Sequence, residues 1–96
     1  AAAVTQTPPG KSFEDLYLEL SDKIATGDTA SGSVRLLQAG SHEIGKKIVE
    51  EAAEVWMAAE YEGNEALALE ISQLIYHVQL LMLANNVSMA EVYKNL

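Results

Sequence analysis

The sequence predicts an all-α fold of four to five helices, in which a central antiparallel pair forms the core of a bundle completed by dimerisation. Three observations predict it. Apolar residues recur at three- and four-residue intervals along most of the chain. Ser and Gly stand at the ends of those periodic segments, where helices start and stop. No two-residue alternation of the strand type and no internal repeat occurs. Dimerisation follows from size, because 96 residues without Cys bury a limited core and have no disulfide to compensate.

The first helix runs from Phe13 to about Ala25, with Ser12 as its cap, Glu14 and Asp15 in the first turn where carboxylates suit the dipole, and Gly27 beyond its end. Phe13, Leu16, Leu20 and Ile24 give it one apolar stripe. Thr26 to Ser33 has loop composition and reads as a flexible surface link, followed by a short helical turn from Val34 to Ala39 that stops at Gly40. Ser41 begins a second long helix that continues to about Tyr61, where Gly63-Asn64 interrupts it. A third runs from Glu65 to about Leu83. After the break at Asn85-Asn86, Ser88 caps a last helix from Met89 to Leu96, and Glu91 at its third position completes a capping box.

One domain spans residues 12–96, and residues 1–11 read as a disordered tail: Ala1 to Gly10 has neither the charged nor the apolar region of a secretory signal. A formal charge of −8 repels polyanions, so nucleic acid is not an expected partner. Leu67 to Ala84 is the most apolar stretch, but Glu70, Ser72, Gln73, His77 and Gln79 interrupt it, and it reads as too polar to span lipid. No membrane partner is expected, and a cytoplasmic protein is the default. The lack of Cys fits a reducing compartment without demanding one.

Projection at about 100° per residue places Ile44, Ile48, Val55 and Ala58 on one stripe of the second helix with Glu51 in its middle. Glu54, Glu50 and Lys47 lie on the flank. The third helix carries an apolar stripe of Leu67, Ile71, Leu74, Val78 and Leu81, with Glu70, Gln73 and His77 beside it. It is apolar almost all round, through Leu69, Ile75, Leu80, Met82 and Leu83, and so wants burial on several sides. A short link at Gly63-Asn64 makes the two helices antiparallel neighbours whose polar flanks can meet.

Glu50, Glu51, Glu54 and Glu70 can then converge on one cleft. Clustered carboxylates disfavour joint ionisation and burial adds to the cost, and a hard dication relieves both. Oxygen ligands without Cys select Mg²⁺ or Mn²⁺ over Zn²⁺, and Mg²⁺ commonly completes its shell with water and substrate phosphates. Two plainer readings stand beside this one. Glu-rich helix faces are often merely solvated. A Glu51 in an apolar stripe can also be half of an ion pair with Lys11, Lys23 or Arg35.

The run Lys46-Lys47-Ile48-Val49-Glu50-Glu51-Ala52-Ala53-Glu54-Val55, followed by Glu70-Ile71-Ser72-Gln73-Leu74-Ile75-Tyr76-His77, resembles the phosphoribosyl-ATP pyrophosphohydrolase family. It is similar, more distantly, to the MazG-type all-α nucleotide pyrophosphohydrolases. The resemblance extends to Ser12–Leu16 and Val87–Val92, and so covers about residues 12–96. The superfamily pattern is Glu-Glu-x-x-Glu, then Glu-x-x-Asp. This chain has Gln73 at the last place, and an amide can ligate Mg²⁺ but brings no charge and cannot act as a base.

The resemblance implies Mg²⁺-dependent hydrolysis of phosphoribosyl-ATP to phosphoribosyl-AMP and pyrophosphate, the second step of histidine biosynthesis, by a homodimer. Glu51, Glu54 and Glu70 are the implied metal ligands, and Glu50 the implied base for the attacking water or a ligand of a second metal. Lys46, Lys47, Gln73 and His77 are candidate contacts to substrate phosphate. The lysines can equally pair with Glu50 and Glu51 one turn on, and His77 can be a packed, hydrogen-bonded helix histidine. Trp56, Met57, Tyr61 and Tyr76 read as core or interface residues, since aromatics at helical spacing usually pack. The alternatives are a general nucleoside triphosphate pyrophosphohydrolase and a non-catalytic helical dimerisation module.

Overall fold

The computed structural model describes residues 10–28 and 30–96, and among these it contains five helices and no strand. They are α1 (Phe13–Thr26), α2 (Gly32–Ala39), α3 (Ser41–Tyr61), α4 (Asn64–Ala84) and α5 (Met89–Tyr93). The tail expected over residues 1–11 lies largely outside the described residues. Lys11, just ahead of the domain boundary placed at Ser12, is exposed and pairs with Glu19 at 2.5 Å.

The end signals act as their chemistry requires. The Ser12 hydroxyl accepts from the Asp15 amide at 3.1 Å, and Gly27 closes α1 in the left-handed region at φ 68°. Ser88 and Glu91 form the reciprocal capping box of α5. That helix is shorter than expected, because the amides of Asn95 and Leu96 reach carbonyls only three residues back, in tightened turns.

α3 and α4 make the most extensive contact in the chain, as an antiparallel pair, with α1 and α2 packed across it. The core is Leu20 of α1, Ile44 of α3 and Leu80 of α4, with Leu16, Leu36, Ile48 and Tyr76 around it. By length and composition alone α4 is apolar enough to cross a membrane, so its polar interruptions do not remove it from that class. A core helix passes the same test, and α4 packs against three other helices.

Two expectations are corrected. The segment read as a surface link re-enters helix at Gly32, and Ser33 and Val34 are buried. The Ser33 hydroxyl meets the Tyr76 hydroxyl at 2.5 Å, so one serine of loop-like composition is a tertiary anchor. On α4 the expected stripe does not define the inside: Ile71 and Val78 are 40% and 36% exposed, whereas His77, Gln79, Leu80 and Met82 are buried. A helix apolar all round is oriented by its neighbours, and the Phe13 carbonyl draws in Gln79 by accepting from its Nε2 at 2.8 Å. Of the four residues read as core or interface, Tyr76 packs at the core, whereas Trp56, Met57 and Tyr61 are exposed on the single chain.

Candidate metal centre

The link between α3 and α4 is two residues long, Glu62 and Gly63, and Gly63 adopts φ 139°, a conformation in which a Cβ is strained. Both amides of the link donate to the Ala58 carbonyl. Glu54 and Glu70 each lie eight residues from Glu62, so at 1.5 Å per residue they stand at equal height, about 12 Å from the turn. Glu51 lies one turn further along α3, on the side facing α4.

The result is a triad. Glu51, Glu54 and Glu70 each bring one carboxylate oxygen to within 4.8 Å of the others. Glu54 is exposed, while Glu51 and Glu70 are half-buried and each has an Oε2 that is fully buried without a hydrogen-bond partner. Burial first, and the apposed Glu54 carboxyl second, push the Glu51 carboxyl above its ordinary range, against the opposing influence of His77. Glu70 is also raised, chiefly by the hydrogen-bonding approach of Glu54, then by burial and by the charges of Glu54, Glu51 and Glu62. Three carboxylates this close, two of them with orphaned oxygens, fit a hard cation that takes oxygen ligands.

The other expected site residues are placed around this triad. Glu50 is exposed on the flank, its Oε2 3.5 Å from Lys47 Nζ. Lys46 pairs with Glu43 at 3.4 Å. The lysines therefore pair three residues away, not with Glu50 and Glu51 one turn on in the order expected. The ion-pair alternative for Glu51 is also resolved: Lys11 and Lys23 both engage Glu19, and no pair between Arg35 and Glu51 occurs among the described residues. Gln73 is exposed and lies outside the triad, and its backbone carbonyl takes the Nδ1 hydrogen of buried His77 at 2.7 Å.

Two contributors had not been picked out in the sequence. Glu62 bears on Glu70 from the end of α3, where its position in the link was the only available signal. Ser33 carried no signal at all, because its partner Tyr76 is 43 residues away.

The sequence profile described as phosphoribosyl-ATP pyrophosphohydrolase matches residues 13–96. A protein named phosphoribosyl-ATP pyrophosphatase from Streptomyces coelicolor is 59% identical over 87 residues, covering 90% of this chain and 97% of the relative. Proteins of the same name from Streptomyces avermitilis and Salinibacter ruber are 58% and 54% identical, over 90% of this chain and 97% and 99% of their own lengths.

Proposed function

The chain belongs to the phosphoribosyl-ATP pyrophosphohydrolase family, and from that membership we propose that it hydrolyses the α–β phosphoanhydride of phosphoribosyl-ATP. The products on this reading are phosphoribosyl-AMP and pyrophosphate, and the reaction is the second step of histidine biosynthesis, carried out in the cytoplasm. The observation that carries it is the convergence of Glu51, Glu54 and Glu70 with two buried, unpartnered oxygens.

The three glutamates would hold Mg²⁺, with Mn²⁺ as a substitute. When bound, such a cation screens the triphosphate, activates water and stabilises charge on leaving pyrophosphate. The residues of the chain do the rest. The turn at Gly63 holds Glu54 and Glu70 in register, and Glu50 acts as base from the exposed flank. Lys46 and Lys47 meet phosphate there as mobile point charges once they leave their glutamates. Gln73 is exposed and can donate to a phosphate oxygen through its amide.

A homodimer is part of the proposal. Val49 and Trp56 on α3, with Ile71 and Val78 on α4, expose large apolar side chains that a second copy would cover. The deciding assay measures pyrophosphate release from phosphoribosyl-ATP and from a panel of nucleoside triphosphates with Mg²⁺. Preference for phosphoribosyl-ATP is expected, and preference for a free nucleotide would favour the general pyrophosphohydrolase. Sedimentation of the native chain tests the dimer separately.

A further inference from the structure

Tyr61 is the last residue of α3 and is 71% exposed. Of the four tyrosines in the chain, Tyr17, Tyr76 and Tyr93 bond through their hydroxyls to Val87, Ser33 and Glu14, whereas Tyr61 makes no such bond among the described residues. Packing among those residues therefore gives no account of a large aromatic side chain at this position.

Helical phase gives it a place. Lys47, Glu50, Glu54, Met57 and Tyr61 follow one another at three- and four-residue steps, which keeps all five within about 80° on one side of α3. All five are exposed. Tyr61 stands seven residues beyond Glu54, about 20° round the helix and about 10.5 Å along it. The strip changes character at Glu54: charged side chains precede it, and Met57 and Tyr61 continue it as an uncharged ledge. Trp56 is the other exposed aromatic of α3, but it lies about 160° round from Glu54. Its indole N–H is engaged by Glu60 at 2.8 Å, so it belongs to the opposite side of the helix.

A ligand matched to this strip is charged at one end and flat at the other. A nucleotide is such a ligand: its phosphates meet the acidic end with its cation, and its base lies one phosphate and one ribose from the bond that is cut. That reach is of the same order as the step from Glu54 to Tyr61. Every base has a π-face that an aromatic ring can carry, and the thioether of Met57, one turn back from Tyr61, is a polarisable neighbour for it.

We propose that Tyr61 is a specificity residue, the platform on which the purine base of the substrate stacks, with Met57 extending the ledge toward the metal centre. This rests on the reaction and metal reading above, because Glu54 fixes the phosphate end of the strip. Its consequence is selection: a base-bearing triphosphate is held at both ends, and an inorganic polyphosphate at one.

The test is steady-state hydrolysis of phosphoribosyl-ATP with Mg²⁺ by wild type, Tyr61→Phe and Tyr61→Ala, with inorganic tripolyphosphate, which has the anhydrides and no base, as inhibitor of each. Neither substitution empties a core position, since Tyr61 is exposed. KM should rise about 5- to 150-fold in Tyr61→Ala, the range that loss of one base–aromatic stack gives, with kcat little changed. Tyr61→Phe keeps the ring and should stay within a few-fold of wild type, and the inhibition constant of tripolyphosphate should be the same in all three. Wild-type KM in Tyr61→Ala would overturn the platform and leave the metal reading intact. Equal weakening of tripolyphosphate would also overturn it, by placing Tyr61 at the phosphate end. A KM defect that disappears as enzyme concentration is raised would make Tyr61 an assembly contact instead. Absence of hydrolysis by wild type would overturn the reaction and the platform together.

Discussion

Glu51 and Glu70 face one another across the helix pair with a buried Oε2 apiece that nothing among the described residues satisfies. A polar atom buried without a partner destabilises the fold, and two of them with like charge do so more. The metal-free protein is thus under strain at the place where a cation would act. Replacing Glu51 by Gln should raise the thermal midpoint measured in chelator while abolishing turnover. If the variant unfolds at lower temperature than wild type in chelator, Glu51 is structural, not strained.

Proton linkage gives a second expectation. Both carboxyls are raised above the ordinary value of 4.5, so the folded state holds protons that the unfolded state has released. Their stabilising share is complete below the ordinary carboxylate range and is lost as pH rises through the raised values. Thermal midpoints in chelator should therefore decline across mildly acidic pH, and saturating Mg²⁺ should flatten that decline. A metal-bound stability gain of about 2.7 kcal/mol is expected at a free concentration a hundred times the dissociation constant. Identical pH profiles with and without Mg²⁺ would count against the triad.

Gly63 supports a prediction of geometry. At φ 139° a Cβ is strained although open space surrounds it, so Gly63→Ala should cost about 1–3 kcal/mol through the backbone alone. Because the turn sets the register of Glu54 against Glu70, Mn²⁺ affinity should fall as well. Denaturant unfolding and metal titration of the same variant check the two effects together.

Tyr93 and Glu14 supply a pair separate from the triad, in which the Tyr93 hydroxyl donates to Glu14 Oε1 at 2.6 Å. The hydrogen bond to Tyr93 lowers the Glu14 carboxyl, and the same bond raises the Tyr93 hydroxyl. Stability from Glu14 is present above its ordinary value and lost as pH falls through the lowered one. Stability from Tyr93 is present below 10.0 and lost as pH rises beyond it. Tyr93→Phe should remove the Tyr93 dependence, weaken that of Glu14, which a backbone amide also lowers, and speed amide exchange in α5, with turnover unchanged. Unaltered exchange in α5 would show that the contact does not hold that helix.

Much of this architecture was legible in the chain itself. Ser12, Gly27 and the Ser88–Glu91 box mark ends because their side chains or backbones do local work, and local chemistry needs no knowledge of the fold. The convergence of Glu54 and Glu70 was legible for a related reason: a two-residue link leaves two helices little choice but to run side by side. The inside of α4 was not, since Ile71 and His77 compete for it and only the positions of α1 and α2 decide. Glu50 and Glu51, one residue apart, were separated by helical phase alone into a flank and a floor, which the chain does carry. The burial of Ser33 depends on Tyr76, 43 residues on, and no local pattern announces such a partner.

Trp56 is the only tryptophan, it is 65% exposed, and its indole N–H donates to Glu60 at 2.8 Å. Helical phase turns it roughly 140° away from Glu51. Light emitted by this protein on excitation of its indole therefore comes from one outward strip of α3, far round the helix from the acidic triad. A shift of that emission to shorter wavelength on concentrating the protein would register coverage of the strip by another copy. Filling the acidic triad should leave the colour unchanged, so one chromophore separates assembly from metal loading in a single cuvette.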